Sequence, residues 1–186
     1  MLGKHNILNC LAAISVAKIL NIQTKNIKNT FKKFKGVQRR FTLIKTINEV
    51  KIFDDYAHHP EEIKSTLDSV KILEPKNTIV VFQPHRYSRF GFLYNNFIKV
   101  LKNCNKLIVS DVYPAGEKKV NYLSKEKFVK DINKLKKNLA IPLKKISDLP
   151  AIIRKNTRPG DIVIFVGAGD ISKWAHDLSL KLKKRK

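Results

Sequence analysis

The sequence has 186 residues, of which 43% are hydrophobic and 28% are charged, a balance typical of a soluble globular protein. This length suits one complete domain with part of another, and it allows a core to form without disulfides or metals. The chain has no run of about 18 apolar residues and no signal-peptide pattern at its start, which argues against a membrane protein or a secreted one and predicts a cytoplasmic location.

The net charge of +23 is the most unusual bulk property of the chain. A strongly basic protein suggests nucleic acid or another anionic ligand. Most of the positive residues are lysines spread along the whole chain, however, as expected from an AT-rich genome, and they cluster tightly only at residues 183–186. Since no RRM, KH or zinc-finger pattern is present, we expect no specific nucleic-acid partner and keep such binding as the weaker alternative.

The two cysteines predict neither a disulfide framework nor a metal site. Cys10 and Cys104 lie far apart and form no CxxC pair, so a structural zinc site is not expected. Cys10 lies in an apolar run with helical spacing, which predicts a buried free thiol.

Two helices are predicted at the start of the chain, over residues 5–21 and 27–34. Leu8, Leu11 and Ile19 recur at helical spacing in the first of them. Gly36 then interrupts the pattern, and a domain boundary is expected at residues 36–40.

From residue 41 onward, predicted strands and helices alternate. Strands are expected at residues 41–47, 50–53, 78–82, 106–109 and 161–166, and helices at residues 61–73, 94–101, 125–135, 147–155 and 171–182. Short apolar strands alternating with helices predict an α/β fold with a mostly parallel sheet. In such sheets ligands bind beyond the carboxyl ends of the strands.

The first polar segment at such a strand end is DDYAHHP, residues 54–60. Its carboxylates can accept hydrogen bonds from hydroxyl groups such as those of ribose, and its imidazoles can act as bases or as orienting donors. The adjacent His58 and His59 point in different directions, so they are not expected to bind a metal together. A polar loop that merely caps the next helix is the alternative.

The second segment, QPHRYSR at residues 83–89, places Arg86 and Arg89 three residues apart. If this turn opens into a helix, both guanidiniums face one side and can clamp a carboxylate or phosphate. A solvated basic edge is the alternative. DVYPAGE at residues 111–117 indicates only a loop, and GAGD at residues 167–170 indicates either close backbone approach to a ligand or tight strand-to-helix packing.

In combination these segments are much more specific than any one of them. Their order along residues 3–171 is HNxxN, GVxRRF, DDYAHHP, QPHRYSR, DVYPAGE and GAGD. This order resembles the Mur ligase family, and within it the branch that adds L-alanine during peptidoglycan precursor synthesis. The resemblance implies a Rossmann-like C-terminal domain over residues 39–186, preceded by residues 1–38 as the helical tail of a central ATPase domain.

The resemblance also implies a reaction and a role for individual residues. In the family, ATP and two Mg²⁺ ions convert the carboxylate of UDP-N-acetylmuramate to an acyl phosphate, which the amine of L-alanine then attacks. The implied nucleotide-binding residues are Asn6 and Asn9 by the adenine, Arg40, and Asp55 at the ribose. The implied residues on the L-alanine side are Tyr56, His58, Arg86 and Arg89, with His58, His85, Arg86 and Arg89 taking part in catalysis.

The chain lacks several parts of the family pattern, including the domain that binds the UDP sugar. It contains no GxxGKT segment and no counterpart of the central-domain carboxylate and histidine that hold Mg²⁺, so ligands for the phosphates and the metal are not expected in it. We therefore expect the chain to supply the amino-acid-side lobe of the ligase and to be inactive alone. The alternative is a non-catalytic remnant or binding module that pairs with the other Mur domains on a separate chain.

Overall fold

The computed structural model describes residues 4–34 and 36–182, and for residues 4 and 5 it describes the backbone alone. The cluster of basic residues at positions 183–186 of the sequence lies outside this part of the chain. Within the described ranges, no helix is both long and apolar enough to cross a membrane.

The chain begins with two helices, α1 (Lys4–Ile19) and α2 (Thr24–Lys33), as predicted, although both end before the predicted limits and α2 begins earlier. The apolar residues at helical spacing in α1 are nevertheless exposed, by 54% for Leu11 and 78% for Ile19. Helical periodicity therefore predicted the element correctly. The apolar face of α1 that this periodicity indicates is not covered by the sheet of this chain.

A six-stranded sheet forms the centre of the remaining chain, with the strand order β1-β2-β6-β3-β4-β5. The strands are β1 (Thr42–Ile47), β2 (Val50–Asp55), β3 (Thr78–Phe82), β4 (Lys106–Val109), β5 (Ala140–Pro142) and β6 (Ile162–Val166). Only β1 is antiparallel to its neighbour, and all other pairings are parallel. The predicted α/β class with a mostly parallel sheet is confirmed.

Six helices cover the two faces of this sheet. They are α3 (Pro60–Lys71), α4 (Tyr87–Phe92), α5 (Tyr94–Leu101), α6 (Lys125–Leu135), α7 (Leu149–Asn156) and α8 (Ile171–Leu182). Helices α3 to α6 pack on one face around Phe82, whereas α7 and α8 pack on the other face around Phe165. Because β3 and β6 are buried on both faces, they appear in the sequence as continuous apolar runs.

Two predictions about local structure need correction. The helix predicted from residue 147 begins at Leu149, after a 3-10 turn (Ile146–Asp148), and the Asp148 side chain makes no capping hydrogen bond. Pro150 lies in the first turn instead, where its fixed φ favours helix initiation. Helix α4 and strand β5 were not predicted, because elements of 6 and 3 residues are too short to show periodicity.

Candidate functional site

The polar segments after the strands meet at one edge of the sheet. The backbone N–H of Gly167 donates to the carbonyl of Asp55 at 3.2 Å, and that of Gln83 donates to the carbonyl of Val166 at 3.1 Å. These bonds align the strand ends, so the side chains that follow them share the carboxyl edge, where ligands bind in folds of this type.

A cavity of about 790 Å³ lies between the two N-terminal helices and this edge. All four residues predicted to bind the nucleotide line it, namely Asn6, Asn9, Arg40 and Asp55. Much of the remaining wall is apolar and comes from Ile27, Phe31, Phe34, Val37 and Phe41. The size and this combination of apolar wall with a few polar groups are typical of small-molecule sites.

Asp55 connects the cavity to the backbone around it. Its Oδ2 accepts the N–H of Phe41 at 3.0 Å, and its Oδ1 accepts the N–H of Ala57 at 2.8 Å. Burial raises the pKa of this carboxyl group, against the opposing effect of these hydrogen bonds. The Thr66 side chain also forms a hydrogen bond with this carboxylate, so three of its four lone pairs are used and one can still accept a ligand hydroxyl.

The prediction that Cys10 is buried is wrong. Cys10 is partly exposed and lines the cavity, whereas Cys104 lies in the core, and both thiols are free. Helical periodicity misled the prediction because the apolar face of α1 is not packed on the sheet.

The two thiols should therefore differ strongly in reactivity. Burial raises the pKa of Cys104 to about 12, so at pH 8 only about one thiol in ten thousand is ionised. We expect iodoacetamide to alkylate Cys10 in the folded protein and to leave Cys104 unmodified until urea unfolds the chain. Peptide mass spectrometry over time measures both rates, and equal rates under native conditions would contradict this packing.

A row of four rings lies beside the cavity. The ring centroids of Tyr56 and His58 are 5.3 Å apart, those of His58 and His85 are 5.7 Å apart, and those of His85 and Tyr113 are 5.5 Å apart. The Arg40 guanidinium, which also lines the cavity, lies 5.7 Å from the Tyr56 ring centroid. The structure thus places the predicted amino-acid-side residues next to the predicted nucleotide side.

Arg86 and Arg89 lie at the His85 end of this row. Arg86 precedes helix α4 with a φ of +69°, and its N–H donates to the Tyr113 carbonyl at 2.9 Å. Nη1 of Arg89 lies 3.4 Å from Nδ1 of His85. Among the described residues, neither guanidinium forms an ion pair with a carboxylate, so both can bind a substrate anion.

His58 and His59 take different partners, as their adjacency predicted. Nδ1 of His59 accepts the N–H of Glu61 at 3.3 Å and caps α3, which begins at Pro60. Glu62 completes the capping box by accepting the backbone N–H of His58 at 2.9 Å and that of His59 at 3.2 Å. The described part of the chain has no group of three or more His, Cys, Asp or Glu residues that could hold a metal ion.

GAGD contributes close packing at this edge. A methyl group added at Gly169 would lie 2.5 Å from Oε1 of Gln83 and 2.6 Å from the Tyr113 ring. Oε1 of Gln83 accepts the N–H of Ile171 at 3.2 Å, which holds the start of α8 in place. Of the two interpretations of this segment, tight strand-to-helix packing is the one that the contacts account for.

Arg39 is a residue of this edge that the sequence did not reveal. Its Nη2 donates to the carbonyls of Gly167 at 3.2 Å and Gly169 at 3.1 Å, and its guanidinium lies 4.6 Å from the Tyr56 ring centroid. Its Nε is buried with no hydrogen-bond partner among the described residues. Arg39 therefore ties together the loop before β1, the loop after β2 and the turn after β6. The motif GVxRRF contains two arginines, and only Arg40 had been assigned a role.

Arg39→Met should destabilise the fold by about 2 kcal/mol, because it keeps the stem of the side chain but removes two hydrogen bonds from a cation. Arg40→Met is the matched control, since it also removes one positive charge. It weakens the contact with Tyr56 and the charge interactions with Asp55 and Glu62, but Arg40 makes neither of the hydrogen bonds that link Arg39 to the turn after β6. Urea unfolding measures the free energy of unfolding of both variants, and we expect the larger loss for Arg39→Met. Equal stability of the two variants would show that Arg39 does not tie the three segments together.

Comparisons with known proteins identify the family to which the chain belongs. A sequence model of the family described as "Mur ligase, glutamate ligase domain" matches residues 39–169. A UDP-N-acetylmuramate–L-alanine ligase of Rickettsia bellii is 45% identical over 183 residues, which cover 96% of this chain and 38% of that protein. The chain thus spans about two fifths of the length of the curated relatives it matches.

Solved structures show the same partial coverage. The crystal structure of a UDP-N-acetylmuramate–alanine ligase from Thermotoga maritima aligns with 100% of this chain and 39% of its own, with a TM-score of 0.80 and 28% identity. A murein peptide ligase from Psychrobacter arcticus aligns with a TM-score of 0.72 over 100% of this chain and 38% of its own. At 22% identity, the latter shows a shared fold.

Proposed function

Because the chain belongs to the Mur ligase family, we propose that it supplies the amino-acid-side lobe of an ATP-dependent ligase that joins L-alanine to UDP-N-acetylmuramate in the cytoplasm. The observation that carries this proposal is the pair Arg86 and Arg89 beside a row of aromatic and imidazole rings, adjacent to a cavity lined by the proposed nucleotide residues. The relatives' names supply the substrate classes.

We propose that residues 39–186 form the C-terminal domain of this ligase and that residues 1–38 are the end of its central domain. The family match that begins at residue 39 supports this division. The apolar face of α1 supports it too, since a helix that is exposed along Leu8, Leu11 and Ile19 has the surface of an element that packs on another domain. That domain lies either on the same polypeptide or on a separate one.

The cavity fits a nucleotide. The carboxamides of Asn6 and Asn9 can donate to and accept from an adenine edge, Asp55 can accept from a ribose diol, and Arg40 places a positive charge at the rim. When bound, ATP supplies the phosphoryl group that activates the substrate carboxylate. We propose that the phosphate loop and the Mg²⁺ ligands come from the rest of the ligase, because this chain contains no GxxGKT segment.

We assign the binding of L-alanine from the charge and the position of two guanidinium groups. Arg86 and Arg89 anchor the carboxylate of L-alanine by charge-assisted hydrogen bonds, which keeps its amino group close to Tyr56 and His58. The same guanidiniums stabilise the negative charge that develops when the amine adds to the acyl phosphate. Holding the two reactants together lowers the entropic part of the barrier.

A chimaera tests this proposal. Residues 39–186 would replace the matching C-terminal part of the Rickettsia bellii relative, and phosphate release would be measured with each substrate omitted in turn. We expect release that depends on ATP, UDP-N-acetylmuramate and L-alanine together, and a product with the mass of the L-alanine adduct. A folded chimaera that makes the adduct with another amino acid, but not with L-alanine, would contradict the proposal. The chain alone should release no phosphate.

A further inference from the structure

The tautomer of His58 is set by a backbone carbonyl. Nδ1 of His58 lies 2.9 Å from the carbonyl oxygen of Tyr56, and a carbonyl oxygen can only accept a hydrogen bond. Nδ1 must therefore carry the hydrogen. In the neutral ring this leaves the lone pair on Nε2. Oε2 of Glu62 lies 3.4 Å from the same Nδ1, so a carboxylate is in place to stabilise a positive charge on this ring.

The tautomer of His85 is set in the opposite way. Its Nδ1 faces Nη1 of Arg89 at 3.4 Å, and a guanidinium can only donate. Nδ1 of His85 must therefore hold the lone pair, and Nε2 must carry the hydrogen. The Tyr113 ring stacks on this imidazole at an interplanar angle of 13° and fixes the plane of the ring.

The charges around His85 also oppose its protonation. Burial and the nearby groups of His58, Arg89 and Arg86 lower the pKa of His85, and only the Glu117 carboxylate acts in the other direction. The imidazole therefore stays neutral at pH values at which an ordinary histidine begins to take up a proton. Two rings 5.7 Å apart thus lie in environments that favour different proton arrangements.

We propose that the two imidazoles have fixed and opposite roles: His58 accepts a proton from the substrate amine at Nε2, and His85 remains neutral and donates its Nε2 hydrogen bond to a substrate anion. These roles rest on the ligase function proposed above. The first N–H bond of the L-alanine ammonium breaks and an Nε2–H bond forms on His58, and the adduct formed by the attack later gives its second N–H proton to the departing phosphate. The electron pair left on nitrogen forms the bond to the acyl carbon, and phosphate leaves with the electron pair of the broken C–O bond.

Glu62 and Tyr113 are positioning residues in this scheme, and Arg89 positions His85 in addition to its proposed contact with the substrate. Glu62 faces the His58 imidazolium that results from the proton transfer. Arg89 and Tyr113 hold His85 as a donor that transfers no proton, and its partner is the carboxylate of L-alanine or the oxygen of the tetrahedral intermediate. The scheme differs from one in which either histidine could serve as the base.

Nitrogen-15 NMR of the imidazole rings tests the assignment directly in the 186-residue chain. At a pH at which both rings are neutral, His58 should show the Nδ1–H tautomer and His85 the Nε2–H tautomer. Arg89→Ala should give a mixture of tautomers at His85 and move its pKa towards the ordinary value, with His58 unchanged. Arg86→Ala is the matched control, because it removes the same charge without a bond to the ring, and it should leave the His85 tautomer unchanged.

The same tautomer on both rings, or no response of His85 to Arg89→Ala, would overturn the assignment. The measurement needs neither ATP nor turnover, so its failure is distinct from a failure of the chimaera to make the L-alanine adduct. In the chimaera, His58→Gln should lose at least about tenfold in kcat near neutral pH and recover as the pH rises and L-alanine loses its own proton. His85→Gln keeps an N–H donor and should retain the wild-type pH profile. An unchanged pH profile for His58→Gln would remove it as the proton acceptor.

Discussion

In the chimaera, Arg86→Ala or Arg89→Ala should raise KM for L-alanine about ten- to a hundredfold, lower kcat, or both. The reason is that a charge-assisted hydrogen bond to a carboxylate contributes about 1.5–3 kcal/mol. KM for ATP should change much less, because the cavity that we assign to the nucleotide is lined by other residues. Lysine should replace either arginine poorly, since it cannot make a two-pronged contact.

Steady-state kinetics with each substrate varied separately measures these effects. Arg154→Ala is the control for the loss of one positive charge, because Arg154 is exposed on α7 and bonds to the carbonyl of Lys181, away from the ring row. Wild-type KM and kcat values for L-alanine in both arginine variants, or an effect confined to ATP, would show that the arginines form a structural edge or a nucleotide contact.

Asp55→Asn should raise KM for ATP at least about tenfold and destabilise the fold by about 1–3 kcal/mol. The carboxylate accepts one backbone N–H on each oxygen, and an amide NH₂ in place of either oxygen would leave a donor facing a donor. The same change removes the negative charge that we assign to the ribose diol.

Asp54→Asn is the matched control for this change. Asp54 is equally part of β2 and also buried, but its side chain accepts the hydroxyl hydrogen of Ser172 at 3.0 Å and does not line the cavity. We expect Asp54→Asn to leave KM for ATP within about twofold of wild type. Kinetics at varied ATP, with urea unfolding of each variant, separates the two effects. Equal changes in KM for the two variants would mean that Asp55 has a structural role only.

The central strands of the sheet could be predicted because they are buried on both faces and therefore appear as uninterrupted apolar runs in the sequence. Strands β3, which ends before Gln83, and β6, which ends before Gly167, are examples. The polar residues that follow their carboxyl ends were enough to locate the candidate site. The apolar spacing of α1 predicted a helix equally well. It could not reveal what covers the helix, since periodicity indicates an apolar face and not its partner.

The parts that sequence patterns missed depend on contacts between distant segments. Arg39 bonds to carbonyls 128 and 130 residues away, and Tyr113 stacks on His85 only because strands β3 and β4 are neighbours. The tautomers of His58 and His85 follow from single atoms, a carbonyl oxygen in one case and a guanidinium nitrogen in the other. Such features have no signature in spacing or composition.

Positional isotope exchange in the chimaera tests most directly whether this chain forms the amino-acid side of the reaction. ATP labelled with oxygen-18 in the β–γ bridge scrambles its label when the acyl phosphate forms reversibly from UDP-N-acetylmuramate, and this step needs no amino acid. We expect the double variant Arg86→Ala, Arg89→Ala to keep at least half of the wild-type exchange without L-alanine, and to lose nearly all ligation when L-alanine is added. Loss of exchange in parallel with ligation would show that these arginines act on the phosphoryl transfer and would contradict the assignment.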